Sequence, residues 1–249
     1  MEQLTWLFDL LVKSLRAHLG DIFFAMYLRQ ELARVKPLWV ETFMRLWEDN
    51  YNNYAAEQFL MYREELGINY LAPNFWNLHR EDIRAGVEQR VEQIFRTTED
   101  RWTRQGPPDT DQEMLDTIRE DLTSRKKLIA ALEVLTMTEQ AADVAVNALG
   151  ASQFEKEWLS MDDEDVRNTH AAQHRYVVPV GSVFPNGLRY PGDTSTGNAS
   201  EYLNCRCVAR YRLRGAQHEG SPAAWPAIQG PSIPIDYRIG PNLPFGLDG

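Results

Sequence analysis

WLSMDDEDVRNTHAAQHRYVVPVGSVFPNGLRYPGDTSTGNASEYLNCRC, residues 158 to 207, is the stretch whose reading decides the second half of this chain. It sets His170 and His174 four residues apart and closes on Asn204-Cys205-Arg206-Cys207, so both cysteines and two of the five histidines of the chain fall inside it. Around it the hydrophobic pattern changes character. Before Gly150, apolar residues recur at helical spacing; after it, short apolar runs alternate or stop at turns. Phe154 to Leu159, Tyr176 to Val180 and Arg206 to Arg214 read as strands. The expected class is α+β. A long helical region over 1–150 is followed by a small α+β domain with a short antiparallel sheet over 151–215, and then by an extended Pro/Gly-rich tail over 216–249.

On the last strand Cys205, Cys207, Ala209, Tyr211 and Leu213 share one face, and Arg206, Arg210, Arg212 and Arg214 share the other. Both thiols are expected to point inward. If residues 167 to 174 are helical, His170 and His174 lie on one face, and the four residues His170, His174, Cys205 and Cys207 would make a tetrahedral His2Cys2 zinc set. An extended strand holds the thiols too far apart to chelate, so this reading requires a bend. The alternative is that both cysteines are small buried hydrophobes and the histidines satisfy backbone carbonyls. Same-face neighbours on a strand sit about 6.5 to 7 Å apart, at the upper limit for a disulfide, so reduced thiols and cytosolic assembly are expected. The arginine face is suited to phosphate or an acidic partner, and equally to the solvated side of a half-buried strand.

Asp162, Asp163, Glu164 and Asp165 suit a hard cation, or the N-terminus of the helix that follows, with Asp162 or Asp163 as cap. The capping reading is preferred. A cysteine nucleophile with His170 as base would need a third, orienting residue, and none is recognisable in the sequence.

Upstream, residues 2 to 35 read as one or two helices broken near Gly20-Asp21, and Pro37 should end or restart the pattern. A further helix from Leu38 to Leu66 carries Trp39, Phe43, Leu46 and Trp47, expected in the core or at a subunit contact, before an Asn50 to Tyr54 patch expected to break it. Ile83, Val87, Val91, Ile94 and Phe95 mark one face of an amphipathic helix that ends at Gln105-Gly106-Pro107-Pro108-Asp109. Asp109 or Thr110 can cap a helix leading into Met114, and another is expected from about Lys126 to Leu149, closed by Gly150.

Length and composition are those of a folded globular protein: 249 residues, 43% hydrophobic and 25% charged. The net charge of −10 sits mostly in the helical region, where 17 Lys and Arg face 25 Asp and Glu, against 9 and 11 in residues 151 to 249. Such a surface opposes sequence-independent wrapping of DNA, which needs many cationic contacts to phosphate. DNA contact is therefore expected to be secondary. The apolar N-terminus (Leu4, Trp6, Leu7, Phe8, Leu10, Leu11, Val12) lacks the basic start and small-residue cleavage site of a signal peptide and is too short to span a bilayer. It reads as a packed or docking helix, with no membrane partner.

Taken as a set, Trp158-Leu159-Ser160, Asp163, Val166-Arg167, His170, Val177 to Val180, Phe184, Leu188 to Asp193 with Tyr190-Pro191-Gly192-Asp193, Glu201 and Asn204-Cys205-Arg206-Cys207 resemble the phage Mu F-like minor head protein family, the phage head morphogenesis domain. Thr138-Glu139 in the preceding helix also resembles that family's short Thr-Glu motif, so the likeness covers about residues 125 to 213. The resemblance implies a minor capsid protein in the virion head near the portal, acting in head assembly or DNA packaging and delivery. Portal protein and major capsid or scaffolding protein would be its partners. His170, Cys205 and Cys207 match the family's His and Cys motif; His174 lies outside it. Domains similar to this one are also attached to bacterial toxins, so an RNase-like or toxin-like enzyme using His170 is the alternative.

Overall fold

The computed structural model describes residues 2–15, 24–104, 111–161, 163–196 and 198–215. Four helices come first: α1 (Glu2–Leu15), α2 (Phe24–Glu65), α3 (Phe75–Arg104) and α4 (Asp111–Gly150). Then follow β1 (Phe154–Leu159), α5 (Asn168–Ala171), β2 (Val177–Pro179), α6 (Ala199–Tyr202) and β3 (Val208–Leu213), with one-turn 3-10 helices at Ala151–Gln153 and Thr194–Thr196. The α+β class expected from the pattern is the class observed. The expected breaks at Gly20-Asp21 and Gln105–Asp109, and the Pro/Gly-rich tail, lie outside the described residues.

Two local breakers inside α2 fail to break it. Pro37 sits within the helix and removes one i→i−4 hydrogen bond, at a cost of about 3 kcal/mol. Leu32, Val35, Trp39 and Val40 around it are all buried, and each buried side chain of this kind contributes about 1.5–3 kcal/mol. The Asn50 to Tyr54 patch stays helical because its amides bond back along the helix: Asn50 Nδ2 donates to the Leu46 carbonyl at 2.8 Å. Tyr51 is fully buried and stacks on Trp47, with ring centroids 5.9 Å apart. Burial of these rings outweighs the local preference for a turn.

The helix α3 begins where Asn74 Oδ1 accepts the Asn77 N–H at 2.9 Å, an N-cap bond that satisfies an otherwise free donor. Its expected inner face is the observed one: Ile83, Val87, Val91 and Phe95 are buried, with Ile94 packed beside them. The two helices expected between residues 110 and 149 are one continuous helix, α4. It ends at Gly150, whose φ of 111° lies in the left-handed region that glycine adopts without a Cβ clash.

The sheet is antiparallel throughout, in the order β2-β1-β3. On β1, Phe154, Lys156 and Trp158 face the helices, opposite Leu213, Tyr211 and Ala209 of β3. The other face pairs Glu155 with Arg212 and Glu157 with Arg210. Phe154, Val180, Ala209 and Tyr211 belong to the same hydrophobic core as Trp39, Phe43, Trp47, Val87 and Val146. The change of secondary structure at Gly150 is thus not a division of the core. The aromatic residues of α2 are interior: Trp39, Phe43 and Trp47 are buried within this chain, and Leu46 packs against the same core.

A buried polar link ties sheet to helix. Lys156 is fully buried, and its Nζ lies 3.4 Å from Asp143 Oδ1 on α4. Tyr211 donates to the same carboxylate oxygen at 3.3 Å. One turn earlier on α4, both oxygens of Glu139 accept the Ala209 N–H, at 3.2 and 3.1 Å, which places the Thr138-Glu139 motif against the start of β3. Burial pushes the Glu139 carboxyl well above its usual value. Among the described residues, no helix is long and apolar enough to cross a membrane.

Candidate metal centre

The residues of the 158–207 stretch return to one point. Trp158, at the end of β1, is fully buried, and its ring meets His170 and Phe184 edge-on, with centroids 5.0 Å away in each case. His170 is held on the single turn of α5. Arg167, just before that turn, donates to the Leu203 carbonyl and so fastens α5 to the end of α6. The chain then reverses at Asn204, a non-glycine residue at φ 55°. Asparagine tolerates this left-handed conformation better than most side chains. The bend required for chelation is supplied here, because residues 205 to 207 precede β3 and are not part of a regular strand.

Beyond the bend, both sulfurs face the same imidazole nitrogen. His170 Nδ1 lies 3.7 Å from Cys205 Sγ and 3.5 Å from Cys207 Sγ. The candidate ligand atoms of the three residues all lie within 4.8 Å of one another, and all three residues are buried. They are close enough to hold a metal ion. Both cysteines are free thiols. The bond from the Cys205 thiol holds the Cys207 thiol below its usual value, against the opposing effect of burial. The Trp158 indole N–H, which finds no oxygen or nitrogen acceptor, contributes in the same direction. Cys205 is pushed well above its usual value by its bond to Cys207 and by burial.

His174 does not join this set. The helix that would have put both rings on one face stops at Ala171, and the chain continues in turns closed by i→i−3 bonds, Gln173 N–H to the His170 carbonyl and His174 N–H to the Ala171 carbonyl, so His174 is out of helical register with His170. Its Nδ1 instead meets Ser160, with the backbone N at 3.2 Å and Oγ at 2.9 Å. The acidic run also departs from expectation. Arg167 occupies the N-cap position of α5 with no side-chain cap bond. Asp163 accepts the Asp165 N–H at 3.2 Å and is clamped by Arg206, at 2.7 and 2.6 Å. Asp162 lies outside the described residues.

Arg210 and Arg212 lie on the outer face of β3, as alternation predicts, while Arg206 and Arg214 flank the strand, and each of the four has a partner within the chain. Arg206 holds Asp163, Arg210 holds Glu157, Arg212 reaches Glu155 at 2.6 Å and Glu157 at 3.4 Å, and Arg214 Nε donates to the Phe154 carbonyl at 3.3 Å. Cross-strand Glu–Arg pairs of this kind stabilise a sheet face.

The Tyr190-Pro191-Gly192-Asp193 turn is buried against α4, where Thr136 Oγ1 donates to the Gly192 carbonyl at 3.1 Å. Gly192 has φ 78°, and a Cβ there would meet Leu135 at 3.2 Å, so conformation and space both require glycine. Asp193 accepts from the Arg189 N–H at 3.0 Å, from Arg189 Nε at 3.1 Å and from the Ser195 N–H at 3.0 Å. Burial pushes its carboxyl up, and these donors overcome that, leaving it below the usual carboxylate value. A depressed folded-state value stabilises the fold above the ordinary carboxylate range, and that contribution is lost as pH falls through the folded-state value. Asp193→Asn is therefore expected to lower the urea midpoint at pH 7 and to converge on wild type at pH 2–3, whereas parallel curves across that range would refute the assignment.

Two residues at the site have roles that no local pattern discloses, Asn186 and Glu201, the latter named above only as a position in the family resemblance. Glu201 Oε2 lies 3.2 Å from His170 Nε2, and Asn186 Nδ2 reaches the same oxygen at 3.3 Å. Pro185-Asn186-Gly187 reads as a turn by composition, but nothing in the sequence directs that turn toward Glu201. A cavity of about 530 Å³ borders the centre where α3 and α4 face α5 and α6; Thr169 and Glu201 line it, and neither cysteine does. No known protein family, curated protein or solved structure matches the chain.

Proposed function

We propose that this chain is a non-enzymatic minor head protein of the phage head morphogenesis type, whose second half is stapled by zinc on His170 Nδ1, Cys205 Sγ and Cys207 Sγ. The carrying observation is convergence. Trp158, His170, Phe184, Glu201, Cys205 and Cys207, scattered over fifty positions, meet in one buried cluster around a common point. A tetrahedral zinc, with bonds of about 2.3 Å to sulfur and about 2.0–2.1 Å to nitrogen, requires N···S edges of about 3.5–3.6 Å. The observed separations are 3.5 and 3.7 Å. A single nitrogen lone pair can accept from one thiol, so two sulfurs at near-equal distance suit a shared cation better than a hydrogen bond. Zinc would supply a cross-link between α5 and the segment leading into β3.

Burial favours this structural use over catalysis. His170 is 2% exposed, and both its ring nitrogens are engaged, so neither faces water as the acid or base of an RNase-like reaction. The paired arginines of β3 likewise favour protein partners over DNA. Those partners would be the portal and the major capsid or scaffolding protein, with the chain located in the virion head near the portal.

Metal analysis of full-length protein purified without chelator should find about one zinc per chain; a folded, metal-free preparation would refute the staple. Assembled heads should contain the chain in few copies beside the portal, and its absence there would refute the head role. Metal-independent RNA cleavage that disappears in His170→Ala would overturn the non-enzymatic reading.

A further inference from the structure

Glu201 stands outside the three-residue donor set, yet it touches the one nitrogen ligand, whose two ring nitrogens exchange donor and acceptor roles with the tautomer. We propose that Glu201 is a positioning residue: it fixes His170 as the tautomer protonated on Nε2, so that the bare Nδ1 faces both sulfurs and serves as the nitrogen ligand. This rests on the metal reading of the site.

The direction of every hydrogen bond follows from the bonds around it. Leu188 N–H donates to Asn186 Oδ1 at 3.2 Å, which fixes the amide so that Nδ2 faces Glu201. Glu201 Oε2 then receives three groups: Asn186 Nδ2 at 3.3 Å, Thr169 Oγ1 at 3.3 Å and His170 Nε2 at 3.2 Å. Oε2 accepts from the Asn186 amide, so the imidazole nitrogen facing the same oxygen donates to it through Nε2. A neutral imidazole has one donor and one acceptor, which leaves the lone pair on Nδ1. The other tautomer would set a lone pair against the carboxylate and an N–H between the two sulfurs.

Three segments converge on that single oxygen. Thr169 precedes His170 on α5, Asn186 belongs to the turn between Phe184 and Leu188, and Glu201 belongs to α6. The edge-on Trp158 ring restrains the imidazole plane from the side. An outer carboxylate on a metal-binding histidine orients the ring and raises its basicity, and its removal typically lowers metal affinity about 10–100-fold.

The test uses the full chain. Nitrogen-15 NMR of the metal-free protein should show His170 protonated on Nε2 in wild type, no longer held to that tautomer in Glu201→Ala, and again on Nε2 in Glu201→Gln, whose amide oxygen still accepts. Zinc affinity by chelator competition should fall about 10–100-fold in Glu201→Ala and recover to within a few-fold of wild type in Glu201→Gln. A wild-type ring protonated on Nδ1 overturns the proposal, and this result decides it even if the alanine variant does not fold. Unchanged tautomer and affinity in Glu201→Ala refute the role of Glu201 while leaving the metal site standing. Wild type that binds no zinc refutes the metal reading instead.

Discussion

Asp143→Ala is expected to destabilise the protein by about 3–5 kcal/mol, the usual cost of leaving a buried charge without its partner. Lys156 projects from the central strand into the interior and is fully buried, and among the described residues Asp143 is the only carboxylate within salt-bridge range. Burial already pushes the Lys156 ammonium below its usual value, with Asp143 opposing. Without that carboxylate the ammonium retains the face of Phe184, at 5.6 Å, and the charge of Asp193, and the Tyr211 hydroxyl loses its acceptor as well. Adding Lys156→Met to Asp143→Ala should recover more than about 1 kcal/mol, because the orphaned charge is then gone. Urea unfolding of wild type and the two variants measures this. An Asp143→Ala protein within 1 kcal/mol of wild type would show that the pair is not the link between sheet and helix.

Trp158→Ala is the second large effect, again about 3–5 kcal/mol, from lost burial and the cavity left behind. The indole is fully buried between His170 and Phe184, and Val178, Leu188 and both cysteines complete its cluster. Trp158→Phe should cost less than half as much, since the ring contacts largely persist. The comparison also separates packing from chemistry. If the indole N–H supports the Cys207 thiolate, Trp158→Phe should weaken zinc binding more than its modest loss of stability explains. Equal costs for Ala and Phe in the urea midpoint would mean that the ring is not packed as described.

The sequence disclosed the parts of this fold that depend on local pattern. Alternation identified β3 and its outward arginines, and the periodicity of Ile83 to Phe95 identified the inner face of α3. Expectations failed where a local signal competed with burial. Pro37 and the Asn50 to Tyr54 patch are strong breakers in isolation, but each lies among rings and aliphatics that only the folded chain brings together. At the candidate metal centre, His170, Cys205 and Cys207 were legible as residue types. The i, i+4 argument for His174 failed because α5 lasts a single turn. Glu201 was hidden for a different reason: its place opposite His170 follows from the reversal at Asn204 and the turn at Asn186, which are relations between segments and not properties of either one.

The core that runs from α2 through α4 into the sheet bears on how the motif-bearing half could move between proteins. A fragment cut at Gly150 would bare Phe154, Ala209 and Tyr211, strand Lys156 without a counter-ion, and free the Ala209 N–H that Glu139 accepts. The transplantable unit therefore begins inside α4, upstream of Glu133, whose carboxylate in turn binds Arg90 and the Trp47 indole. Recombination that exchanged this half for a homologue's would have to carry those turns of α4 with it, or find a recipient whose own helix offers a carboxylate at both depths.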